Sequence, residues 1–313
     1  MNTIVSYSDT ERDGLLSLWG ETLPLDAITA DVLEARVLLD ENFDPYTFLI
    51  SKNGTSIDGF ALGTHAKRMP LGDADPAGIR CWITAFGIRP GADFRSTGTA
   101  LLEEIETRFR RLGKQECSVS TYPPGYFIPG IDRKAYGHLY DFFQEHGYQE
   151  IKEALSMDAS IVLFEVPRKT IEVQRKLEQQ NIVVRPYMRS DLVQFLEFLD
   201  QYMPTDWVRV ERANLKMLTS GHFKTDQVTV VQKEKRIIGY CQYEGSHFGP
   251  FGVSSEFQGQ GIGTVLLART LERMRHNGYH NAWVMWTDDV AAKVYAKFGF
   301  KETRRFSIMH KRL

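Results

Sequence analysis

Residues 247–274 read HFGPFGVSSEFQGQGIGTVLLARTLERM, and the interpretation of the whole chain starts from this stretch. Its first residues are apolar and aromatic, as in a strand. Glycines follow at 259, 261 and 263, and apolar residues then recur at helical spacing. The pattern predicts a strand, a glycine turn and a helix start. Backbone N–H groups at a helix start lack intrahelical partners and carry partial positive charge, so this turn can hold a phosphate through its main chain.

The glycine turn differs from two common phosphate-binding motifs. It is neither the G-x-G-x-x-G of a dinucleotide-binding turn nor a loop ending in G-K-S or G-K-T. It fits Q/R-x-x-G-x-G/A instead, and in this it resembles the GNAT superfamily of N-acetyltransferases, whose turn holds the diphosphate of acetyl-CoA. A plain strand-to-helix turn, the alternative, needs no more than one glycine. The resemblance implies acetyl-CoA as co-substrate, no metal, and these cofactor-binding residues: Gly252, Val253, Ser254, Gln258, Gly259, Gln260, Gly261, Ile262, Gly263 and Thr264.

A weaker copy of the pattern lies earlier in the chain. Residues 81–112 again run from strand to turn to helix, with Arg95, Gly98 and Ala100 fitting R-x-x-G-x-A. The chain therefore resembles a tandem GNAT protein, with a layout similar to that of mycothiol synthases. The fold class is predicted as α/β (α+β), with two tandem GNAT-like domains, each a mixed, mostly antiparallel sheet flanked by helices. The expected domains are a degenerate GNAT-like domain at 1–164, a linker helix at 165–180 and a GNAT N-acetyltransferase domain at 181–313.

The composition argues against several other protein classes. The 313 residues include 25% charged residues with a formal net charge of −2, so no basic surface for nucleic acid or anionic membrane is expected. We find no apolar segment of membrane-spanning length and no signal-peptide pattern at the N-terminus. Cys81, Cys117 and Cys241 are widely spaced, which argues against a disulfide framework or a zinc site. We expect a cytoplasmic monomer or homodimer that acts on a small-molecule amine, with no nucleic-acid or membrane partner.

The resemblance also assigns the acid of the reaction. Acetyl transfer from a thioester to an amine needs a base for the amine and an acid for the departing thiolate. The family places its acid at the position of Tyr295, four residues before Gly299. A phenol with a pKa near 10 can protonate a sulfur positioned against it, although an aromatic packed on a helix face is the alternative. The first half has Phe143 at the matching place, with Tyr140 one turn earlier, so the second half is predicted to be catalytic.

The sequence also offers residues for three further roles, namely the base, a cofactor contact and the oxyanion donor. Glu244 is predicted as the base because the family often draws its base from this region, and His247 beside it is a second candidate. For both, an exposed turn position is the other interpretation. Asp288 stands where many family members have an Asn that contacts the pantetheine arm, so it is predicted to bind the cofactor or to cap a helix. A backbone N–H of Val253 or Ser254 is the expected donor to the oxyanion.

Two functions follow from these patterns. The first is an acetyl-CoA-dependent N-acetyltransferase that acetylates a primary amine of a small molecule by direct attack, with Tyr295 as general acid. The alternative is a non-catalytic acyl-CoA-binding regulatory module. Tyr295 and the intact glycine turn favour the enzyme, whereas the degenerate first half is typical of a binding module.

Overall fold

The protein divides into two compact units. The structure, a computed structural model, describes residues 3–124 and 127–313. The first unit comprises Met1–Ala154 and Arg305–Leu313, and the second comprises Leu155–Arg304. The chain therefore leaves the first unit within one strand and returns to it near the C-terminus. The domain boundaries expected near residues 164 and 181 remain a prediction.

The first unit is a sheet flanked by helices. Along the sheet, β1 to β5 follow one another in sequence order; β4 and β5 are parallel, and the other neighbours among them are antiparallel. Its core is rich in aromatic and branched residues, and β2, β3 and β4 are buried at most of their positions, as expected of strands that are covered on both faces. Its elements are β1 (Thr3–Ser6), α1 (Arg12–Thr22), α2 (Ala30–Leu33), β2 (Phe48–Asn53), β3 (Ser56–His65), β4 (Arg80–Ile88), α3 (Phe94–Arg111), β5 (Glu116–Val119), β6 (Ile131–Asp132), α4 (Arg133–Glu145) and the first half of β7 (Gln149–Ser160).

The second unit repeats this order of elements. Its strands β8 to β12 lie side by side in sequence order, again antiparallel except for the parallel pair β11 and β12. The predicted fold class, mixed sheets flanked by helices, is confirmed. Its elements after β7 are α5 (Arg168–Glu178), β8 (Ile182–Pro186), α6 (Leu192–Tyr202), α7 (Thr205–Thr219), β9 (Val228–Lys233), β10 (Arg236–Glu244), β11 (His247–Val253), α8 (Ile262–His276), β12 (Asn281–Thr287), α9 (Asp289–Ala296) and the start of β13 (Lys301–Arg312).

Each unit completes its sheet with a strand that is remote in sequence. In the first unit, the C-terminal part of β13 pairs with β5, with Met309 opposite Val119. In the second unit, residues 155–160 of β7 pair with β12, with Ser160 opposite Asn281. The segment that closes each sheet thus comes from the other half of the chain.

Two cores cover the two faces of the sheet of the second unit. Tyr240 on β10 packs with α6 and α7 residues such as Phe195. Its neighbour Cys241 packs on the other face, in a core shared with α8 and with Tyr295 of α9. Successive side chains of a strand point to opposite faces, so β10 contributes to both cores. The two faces of the sheet are therefore covered by different sets of residues.

Two further features bear on the expectations. Cys81, Cys117 and Cys241 are free and buried, and the first two lie opposite each other on β4 and β5. Within the described part of the chain, no helix combines the length and the apolar character needed to cross a membrane.

Candidate active site

The parallel strands β11 and β12 separate along their length. In the described residues they share a register position only where His247 lies opposite Trp283. Beyond this pair β11 continues to Val253 and β12 to Thr287. A shift in register opposite Cys241 also bends β11 against β10. Two strands that part in this way leave backbone N–H and C=O groups available to a ligand.

The predicted glycine turn follows β11 directly. Gly259 and Gly261 have φ of 77° and 82°, a left-handed conformation that L side chains rarely adopt. Gly261 is the residue before α8, and among the described residues no side chain caps this helix start, nor does its first turn hold an acidic residue. The N–H groups of Ile262, Gly263 and Thr264 therefore have no intrahelical acceptor. This helix start offers free amides and partial positive charge to an anion.

Three glycines of the predicted cofactor set also have packing reasons to be glycine. A Cβ on Gly261 would lie 2.7 Å from Cγ1 of Val173 in α5, and one on Gly252 would lie 2.5 Å from Sδ of Met203. A Cβ on Gly263 would lie 3.1 Å from Cζ of Phe251. The helix expected at 165–180 is thus present as α5, but its Val173 side chain packs against the turn instead of facing solvent. Substitution of Gly261 therefore tests packing as well as ligand binding.

Tyr295 lies inside the second unit, near the separating strands. Its side chain is 7% exposed, and its ring lies 5.9 Å from Phe248, 6.3 Å from Phe251 and 5.5 Å from Phe300, measured between centroids. Burial raises the pKa of Tyr295 above its ordinary value, and a hydrogen bond from Thr287 opposes the rise. The phenol therefore holds its proton at neutral pH and can donate it in a hydrogen bond.

Asp288 caps α9. Its Oδ1 accepts hydrogen bonds from the N–H groups of Val290, at 2.9 Å, and Ala291, at 2.8 Å. These are the two amides that an N-cap carboxylate is expected to satisfy. The geometry matches the capping role considered from sequence, and the cofactor contact of Asp288 remains a prediction.

Glu244 is exposed at the end of the β10–β11 hairpin, in register with His247. His247 stacks on Trp283 with ring centroids 4.5 Å apart, where the two parallel strands are still together. At about 3.3 Å per residue, this end of β11 is roughly 20 Å from Val253. The assignment of Glu244 as base remains a prediction, and the predicted cofactor turn lies at the opposite end of the strand.

The sequence did not point to a buried polar cluster beneath α7. Glu211 is 0% exposed and faces Tyr240 of β10, and Asn214 donates from Nδ2 to Oε1 of Gln242 at 3.2 Å. The available signal was weak: Glu211 occupies a position that shares a helical face with the buried Leu218, where an apolar residue is expected. A charged residue on such a stripe is a functional candidate only once its burial is known.

The matching region of the first unit is closed. Residues 95–100, predicted as a turn, lie inside α3, because the helix already starts at Phe94. The side chain of Asp93 caps this start by accepting from the N–H of Ser96 at 3.0 Å. Between β4 and β5 there remains a cavity of about 20 Å³, which suits one water molecule. Its lining includes Phe86, Ser120, Tyr136, Leu139 and Phe143.

Comparison with known proteins finds one family model that matches part of the chain. Residues 206–308 match the family model described as acetyltransferase (GNAT) domain. A search of curated protein sequences found no match. The matched segment contains the glycine turn, Tyr295 and Glu211, but covers only part of the chain.

Solved structures show that the whole chain has a tandem GNAT fold. A tandem GNAT protein from the clavulanic acid biosynthesis pathway is 13% identical, with a TM-score of 0.63 over 100% of this chain and 98% of that chain. A GCN5-related N-acetyltransferase from Sphaerobacter thermophilus is 14% identical, with a TM-score of 0.69 over 99% and 95%. A fungal multi-domain GH3 β-N-acetylglucosaminidase, described as containing a glucosamine N-acetyltransferase region, is 16% identical with a TM-score of 0.82. The match covers 99% of this chain but spans only 38% of the fungal protein.

Proposed function

We propose that the protein transfers the acetyl group of acetyl-CoA to a primary amine of a small molecule, because residues 206–308 match the family model described as acetyltransferase (GNAT) domain. The observation that carries this proposal is the uncapped start of α8 at the mouth of two separating strands, with the protonated phenol of Tyr295 in the same unit. In the first unit, Asp93 caps the corresponding helix start, and Phe143 stands at the position that matches Tyr295.

The free amides of the helix start suit a diphosphate. Residues 258–264 carry no acidic side chain, and the amides of Ile262, Gly263 and Thr264 are available to anionic oxygens. Gly252, Val253 and Ser254, on and just after β11, are the backbone partners proposed for the pantetheine arm. Asp288 supports this site by fixing the start of α9.

Acetyl-CoA supplies the acetyl group as a thioester. On the protein side, Tyr295 holds a proton for the departing sulfur, and burial keeps that proton in place at neutral pH. The backbone N–H of Val253 is the proposed donor to the carbonyl oxygen as negative charge develops on it, because the N–H of Ser254, the other candidate, already donates to the carbonyl oxygen of Ile238 at 2.9 Å. The aromatic rings around Tyr295 exclude water, which strengthens each of these interactions.

The test is release of CoA thiol from acetyl-CoA across a panel of primary amines. Glucosamine is the first acceptor, because the glucosamine N-acetyltransferase region named above shares this fold. Tyr295→Phe should lower kcat by about 100-fold or more while changing the Kd of acetyl-CoA less than about twofold, since only the proton donor is lost. Tyr279→Phe, at a half-buried tyrosine elsewhere in the unit, is the matched control.

The alternative is tested by the same assay. A protein that binds acetyl-CoA in calorimetry but releases no thiol with any amine is an acyl-CoA-binding module. Equal turnover by the wild type and Tyr295→Phe would remove Tyr295 from the mechanism and leave acetyl transfer itself standing.

A further inference from the structure

One buried carboxyl of the second unit has no cationic partner among the described residues. Both oxygens of Glu211 are fully buried, and the group that faces them is the hydroxyl of Tyr240. Buried carboxyl groups are normally paired, because an isolated charge is costly to remove from water. A single hydroxyl leaves part of the acceptor capacity of the carboxyl unused, and a bound ligand or a water molecule are the candidates for it.

Glu211 faces β10, the strand next to the one that is proposed to bind acetyl-CoA. Tyr240, which faces it, is in register with Gly252 of β11. Trp207 precedes Glu211 by one helical turn, and Cζ3 of its ring lies 3.7 Å from the place of a Gly252 Cβ. The carboxyl thus belongs to the α7 side of the sheet, whereas Tyr295 belongs to the core of the opposite side.

The two sides of the sheet suit the two different reactants of an acetyl transfer. The α8 and α9 side carries the free amides and the phenol, which suit a thioester with a diphosphate. The α7 side carries a carboxyl without a cationic partner among the described residues and the Asn214–Gln242 pair, which suit an ammonium group on a polar molecule. The strands β11 and β12, which share one register position in the described residues, lie between the two sides.

We propose that Glu211 accepts the proton of the acceptor amine; this rests on the proposed acetyl transfer. An N–H bond of the ammonium breaks, the proton binds a Glu211 oxygen, and the freed lone pair forms the C–N bond as the C–S bond breaks. Nitrogen loses two protons in becoming an amide; one replaces the proton that Tyr295 gives to sulfur, and one reaches solvent through Glu211. Met203 and Trp207 cover Gly252, so the amine reaches the carboxyl when these side chains move.

The surroundings of Glu211 tune it for this role. Burial raises the pKa of Glu211 to about 8, and the Tyr240 hydroxyl opposes the rise. The titratable group that faces it from β10 is Tyr240, whereas Cys241 lies behind it on the opposite face of the sheet; α7 itself also carries an ion pair of Asp206 with Arg209, at 3.0 Å. A base works best when its pKa is near the working pH. An ammonium group beside the carboxyl favours the ionised form that takes the proton.

The experiment compares Glu211→Gln with the wild type in the full-length protein. With the best amine of the panel, Glu211→Gln should lower kcat/KM by about 100-fold or more and remove the rise of kcat/KM with pH near 8. Glu211→Asp should keep part of the activity, because it retains a carboxylate. Glu197→Gln, at an exposed glutamate of α6, is the matched control and should behave as wild type. The Tm and the Kd of acetyl-CoA are measured for every variant.

Three outcomes decide the proposal. Loss of activity with an unchanged Tm and Kd supports it, since a structural carboxyl would not move the pH profile. Wild-type kcat/KM and pH profile in Glu211→Gln overturn it and leave a buried water as the partner of the carboxyl. Loss of the same pH limb in Glu244→Gln instead also overturns it, in favour of the base predicted from sequence. In both of these cases the wild type still acetylates amines, whereas an inactive wild type contradicts the proposed function itself.

Discussion

The two units begin corresponding helices in opposite ways. In the first unit, Asp93 places its own carboxylate on the first amides of α3. In the second unit, α8 follows Gly261 and no described side chain occupies its first amides. A carboxylate cap and a bound phosphate satisfy the same N–H groups, so a helix that caps itself gives up its anion site. The first unit therefore has a similar fold, but its capped helix start does not offer free amides to an anion.

The interiors of the two strand pairs agree with this difference. Side chains from β4, β5 and α4 fill the space between the separating strands of the first unit and leave about 20 Å³. Phe143 packs there between the rings of Phe86 and Tyr148, at centroid distances of 5.4 and 5.1 Å. A phenylalanine in this place stabilises the core but cannot serve as a proton donor. The space that is proposed to bind a ligand in the second unit is filled by core side chains in the first.

The largest expected effect comes from placing a carboxylate near the first amides of α8, as Asp93 does for α3. Thr264→Glu places a carboxylate at the third position of α8, where it can reach back to the first amides. A glutamate there suits the helix dipole, so the Tm should not fall. The Kd of acetyl-CoA should rise about 100-fold, or about 2.7 kcal/mol, by like-charge repulsion in calorimetric titration.

Thr264→Gln is the neutral control for this substitution and should bind acetyl-CoA within a few-fold of wild type. Wild-type affinity in Thr264→Glu would place the diphosphate away from this helix start and end the contrast between the units. Gly261→Glu is a poorer test, because the contact with Val173 and the positive φ make it a folding variant.

The second effect separates the buried carboxyls of the two units. Glu106 in the first unit is paired with Lys311 and Arg110, whereas Glu211 in the second faces the hydroxyl of Tyr240 and has no cationic partner among the described residues. The folded pKa of Glu211, about 8, exceeds the unfolded value of about 4.3, so the folded state holds the extra proton between these two pH values. Stability should therefore fall as pH rises through this window, by at most about 1.4 kcal/mol per pH unit.

Urea denaturation at pH 5 to 8.5 measures this slope. Glu211→Gln should flatten it and be more stable than wild type at the alkaline end, because an amide does not ionise. Glu106→Gln should keep the slope while lowering stability at every pH, since it leaves Lys311 without its main partner. Equal slopes for the wild type and Glu211→Gln would show that the carboxyl is solvated in solution.

The smallest effect concerns the cap of the first unit. Asp93→Ala should cost about 1 kcal/mol in urea denaturation, and Asp93→Asn much less, because asparagine also caps well. Neither variant should create a second acetyl-CoA site, since the cavity behind the helix start remains filled. A calorimetric stoichiometry of two for Asp93→Ala would instead mean that the carboxylate alone closes the first unit.

Local patterns in the sequence predicted much of this fold. Short stretches of the sequence encode the glycine turn, the amphipathic helix after it and the order of strands. The structure has all three. The pairing of β7 with β12 and of β13 with β5 could not be predicted in this way. Residues 155–160 and 305–312 read as ordinary strands, and nothing in their alternation specifies which sheet they complete, because pairing over more than a hundred residues depends on topology.

The residues of the candidate site also differ in whether the sequence alone could identify them. Gly261 and Tyr295 belong to a motif with fixed spacing, so their proposed roles could be assigned from sequence alone. Val173, Met203 and Glu211 reach the site from α5, from the turn before α7 and from α7, and none of them is near the motif in sequence. Their importance depends on burial and on which strand they face, and both are properties of the folded chain.

The position of β13 sets an order of events during synthesis. The sheet of the first unit takes up residues 305–312, so it lacks a strand until the ribosome has translated these residues. The second unit already has all its residues when Arg304 has emerged. The half that is translated first is therefore the half that matures last, and its unpaired edge must be kept from aggregating during translation.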